Sequence, residues 1–130
     1  MAKPWRWGLA LAVALPSVWL AGTPTAQARS TQFFMAPQVN DRDIWPCTHS
    51  EEFPEACSKA AVNRAATEFC LDHGYMRSAE YYIESVEFIW ERFPVVGWTE
   101  RRDESGKVRA GWEDKGERYD RFTAIECQSF

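Results

Sequence analysis

The sequence contains little of what most metal centres and catalytic triads require. It has two histidines, His49 and His73, and its four cysteines are separated by nine, twelve and fifty-six residues. Without a C-x₂-C knuckle or a paired histidine spacing, a zinc site is not expected. His49-Ser50-Glu51 has the residue types of a triad, but a triad needs groups from separate elements. We therefore expect no metal, no cofactor and no assignable catalytic residue.

Positive charge is also scarce. The chain has 15 Lys and Arg against 19 Asp and Glu, a net charge of −4. Without Lys3 and Arg6, which lie in the first 28 residues, 13 basic and 19 acidic residues give −6. Nucleic acids and anionic membrane surfaces require a clustered basic face, so this balance argues against both as partners. A basic partner fits the charge better.

The N-terminus has the three zones of a secretory signal peptide. Lys3 and Arg6 supply positive charge. The uncharged stretch 8–20 would be about 20 Å long as a helix, too short to span a bilayer comfortably. Ala26-Gln27-Ala28 then places small residues where signal peptidase cleaves. We predict cleavage after Ala28 and export to the periplasm or the extracellular space without a stable membrane anchor; an uncleaved anchor is the alternative.

All four cysteines follow this segment, and an even number in a small exported domain indicates two disulfides. The helix predicted below would contain Cys57 and Cys70, about 19 Å apart along its axis, so these two cannot pair. Cys47–Cys57 with Cys70–Cys127 is preferred, because each bridge uses the direction its helical cysteine faces. Cys47–Cys70 with Cys57–Cys127 remains the alternative.

We divide the chain into a signal peptide (1–28), an irregular lead-in segment (29–53) and a disulfide-stapled domain (54–130). The lead-in shows no sustained period and contains Pro37 and Pro46. Residues 54–73 predict an amphipathic helix that ends at Gly74, because glycine readily takes the left-handed closing conformation. The apolar face of this helix contains Cys57, Ala61, Val62, Ala65, Ala66, Phe69 and Cys70.

Residues 79–93 fit two patterns. They can form an amphipathic helix, or a strand whose alternation needs a bulge near Glu84-Ser85. We favour the strand because 95–98 and 108–112 alternate like a hairpin joined at Ser105-Gly106. Asp114-Lys115-Gly116 indicates another turn, and 119–127 a last strand. The expected fold is α+β, with one N-terminal amphipathic helix packed on a small antiparallel β-meander.

Aromatic side chains are the main functional signal. Trp98 and Trp112 fall on the two hairpin strands, and with Tyr82 they would form a binding platform if the helix leaves that sheet face open. The competing interpretation places these rings in the core. Since the sequence has no catalytic constellation, we expect a non-enzymatic exported binding or accessory module of the cell envelope, such as an inhibitor. Its partner would be a protein or a glycan.

The alternative is an enzyme, a small hydrolase that acts on envelope polymers through paired carboxylates. Nothing in the sequence sets any acid in an apolar pocket, so a solvated acidic surface is the simpler interpretation. A cleft with convergent polar groups would indicate the enzyme, and an exposed patch would indicate the binder. The acids considered for such a pair are Glu84, Glu87, Glu91, Glu113 and Asp114.

The signal-peptide interpretation makes the first prediction. The exported protein should begin at Arg29, because the charged, apolar and small-residue zones occur in the order that signal peptidase requires. Mass spectrometry of the protein from its native host measures this. An exported protein that retains residues 1–28 would contradict the prediction.

Overall fold

The computed structural model describes residues 30–86 and 90–129, so the predicted signal peptide lies outside the described residues. Within these two stretches the fold is α+β and mostly β, with one helix and seven strands. The elements are β1 (Thr31–Met35), β2 (Gln38–Val39), β3 (Arg42–His49), α1 (Lys59–Asp72), β4 (Arg77–Ser85), β5 (Phe93–Arg102), β6 (Val108–Arg118) and β7 (Asp120–Gln128).

The strands form two sheets, so the predicted meander is wrong. One sheet has the antiparallel order β1-β7-β4. The other has the order β2-β3-β5-β6 and curls into half of a barrel; it is mixed, because β3 and β5 run parallel. The hairpin β5–β6 is confirmed, but the chain then crosses to the other sheet at Tyr119. Alternation in the sequence identified strands without indicating which strands pair.

The segment predicted as an irregular lead-in forms β1, β2 and β3, so the helix is not N-terminal. Pro46 is buried within β3, where the pairing with β5 shifts register between Ile44 and Thr48. A proline cannot donate to a ladder, and such an irregularity accommodates it. Asn40 and Asp41, with φ of 54° and 63°, turn β2 into β3. The lead-in segment was not predicted as strands because its short strands, interrupted by proline, show no alternation of polar and apolar residues.

The helix begins at Lys59, later than predicted. The Ser58 side chain caps it by accepting the Ala61 N–H at 3.2 Å. Residues before Ser58 are held beside β3, where the Ala56 carbonyl accepts the Thr48 N–H at 2.8 Å. At the other end Gly74 has φ +86°, as predicted. The predicted apolar face is buried except at Cys57: Ala61, Val62, Ala65, Ala66, Phe69 and Cys70.

Both preferred disulfides are confirmed. Cys47–Cys57 joins β3 to the segment before α1, and Cys70–Cys127 joins the last turn of α1 to β7. The pairing was predicted on the assumption that Cys57 and Cys70 lie in one helix, and this assumption is wrong for Cys57, which precedes the helix. Cys70 and Cys127 belong to the main core between α1 and the two sheets. The other buried members of that core are Ile44, Val62, Ala65, Ala66, Phe69, Phe122 and Ile125.

The strand interpretation of residues 79–93 is confirmed for β4, which ends at Ser85, but it is wrong for residues 90–92, which lie in no strand; residues 87–89 lie outside the described residues. The register between β4 and β7 shifts between Tyr82 and Ile83, close to the predicted bulge. The turn predicted at Asp114-Lys115-Gly116 is wrong, because β6 continues through it. Gly116, with φ +74°, lies opposite a register shift in β5, so this glycine marks an irregularity in the strand.

Among the glycines that the structure describes, Gly97 in β5 has the closest packing around it. A Cβ there would lie 2.8 Å from Trp45 Cε3 and 2.9 Å from Lys115 Cγ. Gly97→Ala should therefore lower the free energy of unfolding by about 1–3 kcal/mol, because a ring or a lysine stem must move. Denaturant unfolding of the oxidised protein measures this difference.

Gly111 in β6 is the matched control. A Cβ there would meet no heavy atom within 4 Å, and Gly111 is not among the glycines with positive φ. Gly111→Ala should leave stability unchanged within about 0.5 kcal/mol or raise it slightly. Equal stabilities for the two alanine variants would show that the contacts over Gly97 are not tight.

Candidate functional site

Trp98 and Trp112 meet, as the hairpin pattern predicted. They are register partners on β5 and β6, with ring centroids 5.1 Å apart and planes inclined by 72°. An edge-to-face pair of this kind adds about 0.5–1.5 kcal/mol beyond the burial of its area. Both rings are half-buried against the main core. They are neither wholly internal nor on an open platform.

The face that carries the two rings is turned toward α1. Thr48, the β3 register partner of Trp98, donates its hydroxyl to the Ala61 carbonyl of α1 at 2.7 Å. Trp112 Nε1 donates to Asp72 Oδ2, at the end of α1, at 2.7 Å. The rings therefore lie where the helix meets the hairpin. We call this surface, made of Glu68, Asp72, Trp98, Glu100 and Trp112, the tryptophan border.

Glu100 accepts more hydrogen bonds than the other acids of the border. Its Oε2 accepts hydrogen bonds from Trp98 Nε1 at 2.7 Å and from Arg64 Nη1 at 2.6 Å, and its Oε1 accepts one from Ser50 Oγ at 2.9 Å. Burial alone would raise its pKa, but bonds from Trp98, Arg64 and Ser50 outweigh burial and hold the pKa below its ordinary value. Glu100 is therefore an ionised, structurally engaged carboxylate.

Glu68 lies one helical turn from Arg64, and its pKa is shifted in the direction opposite to that of Glu100. Burial raises its pKa, Arg64 opposes this by a smaller amount, and the Glu100 and Asp72 carboxylates raise the pKa further. Arg64 is occupied by Glu100 and by Glu52. Among residues 30–86 and 90–129, no hydrogen bond or ion pair involves the Glu68 carboxylate. The border thus contains a partly desolvated acid that no described cation bonds directly, because Arg64 is paired with Glu100 and Glu52.

The acids considered for a hydrolase are not brought together. Glu84 pairs with Arg121 at 2.9 Å on the three-stranded sheet, whereas Glu113 pairs with Arg101 at 2.6 Å on the four-stranded sheet. Glu87 lies outside the described residues, and the remaining two, Glu91 and Asp114, are exposed. Within the described stretches, no three His, Cys, Asp or Glu side chains are grouped to hold a metal ion.

Tyr82 is not part of the tryptophan border. It lies on β4 of the other sheet, where its side chain is 50% exposed and stacks on Phe33 with centroids 6.2 Å apart. Tyr82 and Met35 both pair with Ala124 of β7, so Phe33, Met35 and Tyr82 form a separate exposed apolar patch.

Sequence reasoning placed Glu100 in the charged rim around Trp98 and Trp112 but missed Arg64 and Glu68. A weak signal was available, because Arg64, Glu68 and Asp72 recur every fourth residue and therefore share one helical stripe. Glu100 follows Trp98 by two residues, which places both on one face of a strand. What the sequence could not show is that this stripe of the helix faces this hairpin.

A second cluster, the histidine cluster, lies on the opposite face of the four-stranded sheet. It consists of His49, Arg101, Glu113, Lys115 and Arg118. Lys115 Nζ lies 2.8 Å from His49 Nδ1, and the lysine side chain is only 6% exposed. Its methylene stem covers Gly97. Burial lowers the pKa of Lys115, although Glu113 Oε1, 3.5 Å away, opposes this.

The pKa of His49 is lowered by burial first, and then by the positive charges of Lys115, Arg118 and Arg101, while Glu113 opposes them. Its folded-state pKa therefore lies below the unfolded value of about 6.5. Protons then bind the unfolded state more readily, so stability is lost as the pH falls below about 6.5 toward the folded-state pKa.

Lys115→Met tests whether the charge of Lys115 lowers the pKa of His49. The variant keeps an apolar stem over Gly97 but removes the charge and the donor, so the pKa of His49 should rise toward its ordinary value. An NMR titration of the His49 imidazole measures the pKa. Lys107→Met, in the exposed turn between β5 and β6, should leave it unchanged. The same His49 pKa in the Lys115 variant and the native protein would refute the assignment.

Comparisons of the chain with protein-family models, with curated proteins and with solved structures find no match. No relative therefore supplies an activity, a substrate or a partner. The tryptophan border and the histidine cluster are two of the places in the described residues where charged side chains lie beside aromatic rings.

Proposed function

We propose that the chain is an exported binding module of the cell envelope that recognises a positively charged group of a partner protein at the tryptophan border. The observation that carries this proposal is Glu68, a partly buried carboxylate that forms no hydrogen bond or ion pair with the described residues and whose pKa is raised by burial. Asp72 and Glu100 add negative charge beside it, and Arg64 is the opposing cation. A cation of the partner would supply the missing charge.

The two tryptophans suit the same ligand. The face of an indole ring attracts ammonium and guanidinium groups, with about 0.5–2 kcal/mol for each contact. Trp98 and Trp112 direct their Nε1 donors to Glu100 and Asp72, which fixes the rings beside the acids. The net charge of −4 also favours the approach of a basic partner. A neutral glycan would stack on the rings but would make no use of Glu68.

Export is supported by two features. The N-terminal pattern is that of a signal peptide, and the two disulfides are typical of proteins that fold in oxidising compartments. In the described part of the chain, no helix has the length and apolar character of a membrane span.

The hydrolase alternative has one observation in its favour. Glu68 and Glu100 have pKa values shifted in opposite directions, as in paired catalytic carboxylates. However, Ser50, Trp98 and Arg64 already donate to Glu100. A carboxylate with three donors is a poor base for activating water, so binding explains the arrangement better.

Glu68→Gln separates these roles. The oxidised protein is titrated with a lysine-rich peptide and with the same peptide acetylated on its lysines. Loss of one charged contact should weaken binding of the unmodified peptide by about tenfold. Thermal stability should stay equal or rise, because a desolvated charge has been removed. Affinity of the native protein should also fall as acidification protonates Glu68.

Glu104→Gln, which neutralises an exposed acid in the turn between β5 and β6, is the matched control for net charge. It should bind the peptide almost as the native protein does. The cation-binding role would be wrong if both variants bound equally, or if acetylation of the peptide had no effect. Polymer cleavage that disappears in Glu68→Gln would instead support the hydrolase.

A further inference from the structure

The outer face of the four-stranded sheet carries a buried hydroxyl group without a partner. Thr99 is 3% exposed, and its Oγ1 makes no hydrogen bond within the described parts of the chain. Buried polar groups are normally paired, because leaving one unsatisfied is costly. Thr48, on the other face of the sheet, shows the usual arrangement, since its hydroxyl donates to the Ala61 carbonyl.

The strands place Thr99 in the histidine cluster. Thr99 of β5 is the register partner of His49 in β3 and of Gly111 in β6. Side chains alternate along a strand, so Thr99 and His49 lie on the face opposite Trp98 and Thr48. At Gly111 a Cβ would meet no heavy atom within 4 Å. Open space therefore lies across the strand pair from the unpartnered hydroxyl.

The groups around this space are mainly donors. Lys115 Nζ donates to His49 Nδ1, so the proton of the neutral imidazole is on Nε2, which is left as a donor. Arg101, Lys115 and Arg118 bring three basic side chains to the cluster, against the single carboxylate of Glu113. This is a local excess of positive charge in a chain of net charge −4.

The Arg101 side chain crosses over the Thr99–Gly111 pair. Its backbone pairs with Arg109, yet its guanidinium forms two hydrogen bonds with Glu113, at 2.6 and 3.2 Å. The Thr99–Gly111 pair lies between those two positions, so the Arg101 side chain spans it. Exposed ion pairs contribute little to stability, and the Arg101 side chain is 63% exposed. The guanidinium can exchange Glu113 for an incoming anion, while Lys115 remains beside Glu113.

We propose that Thr99, His49 and Arg101 form a binding site for an oxyanion, a carboxylate or a phosphate group, in the space over Gly111. The Arg101 guanidinium and the His49 Nε2–H donate to it, and the buried Thr99 hydroxyl donates once Arg101 has left Glu113 and uncovered it. This site is on the face opposite the tryptophan border and does not depend on the function proposed for that border.

Titration of the isotope-labelled, disulfide-bonded protein with inorganic phosphate and, separately, with acetate tests the site by NMR. Ionic strength is held constant with chloride. We expect saturable changes at His49, Thr99 and Gly111. Saturation by phosphate alone assigns the site to phosphate esters, and saturation by acetate alone assigns it to carboxylates. No saturable change with either anion, or the same change with chloride, overturns the proposal.

Thr99→Val and Thr48→Val form a matched pair. Thr99→Val removes a donor that is unpaired in the free protein, so binding should weaken about tenfold without loss of thermal stability. Thr48→Val breaks the bond to the Ala61 carbonyl, so the melting temperature should fall while anion affinity is kept. Unchanged anion affinity in Thr99→Val would exclude the hydroxyl from the site.

Discussion

Thr48 and His49, consecutive residues at the end of β3, point to opposite faces of one sheet. The parallel pairing with β5 gives each a neighbour on its own face, Trp98 beside Thr48 and Thr99 beside His49. β6 then adds Trp112 to the first face and Gly111 to the second. Both candidate sites are thus built from the same three strands. Their chemistry differs because α1 covers part of one face, whereas the other face carries the buried cluster of Trp45, Cys47 and Val95 beside the charged histidine cluster.

The two disulfides fix the helix against these strands. Cys47–Cys57 holds the chain before α1 against β3, and Cys70–Cys127 ties the end of α1 to β7 of the other sheet. For loops of these lengths the chain-entropy estimate is about 3 and about 4 kcal/mol. That is comparable with the net stability of a small domain. The position of Glu68 beside Glu100 and Asp72 therefore depends on covalent bonds as well as on packing.

Features set by local sequence were predictable. The apolar face of α1, the closing Gly74 and the hairpin around Gly106 follow from periodicity and glycine conformation over a few residues. The parallel β3–β5 pair does not, because it joins segments more than forty residues apart with no shared pattern. The position of Lys115 could not be predicted for the same reason. Asp114-Lys115-Gly116 has the composition of a turn, but β6 continues through it and places the lysine against His49. Glu68 was one of several polar helical residues, and only the position of the hairpin distinguishes it.

Alternation along β5 also determines how far the two sites are independent. Trp98 and Glu100 face α1, whereas Gly97, Thr99 and Arg101 face outward, so a side-chain substitution on one face leaves the contacts of the other in place. A shift of the β5 backbone would move both sets together. The close packing of Trp45 and Lys115 over Gly97 resists such a shift at the centre of the strand. A larger residue at position 97 would displace Trp45 or Lys115 and shift β5, and such a shift would disturb the tryptophan border and the histidine cluster together.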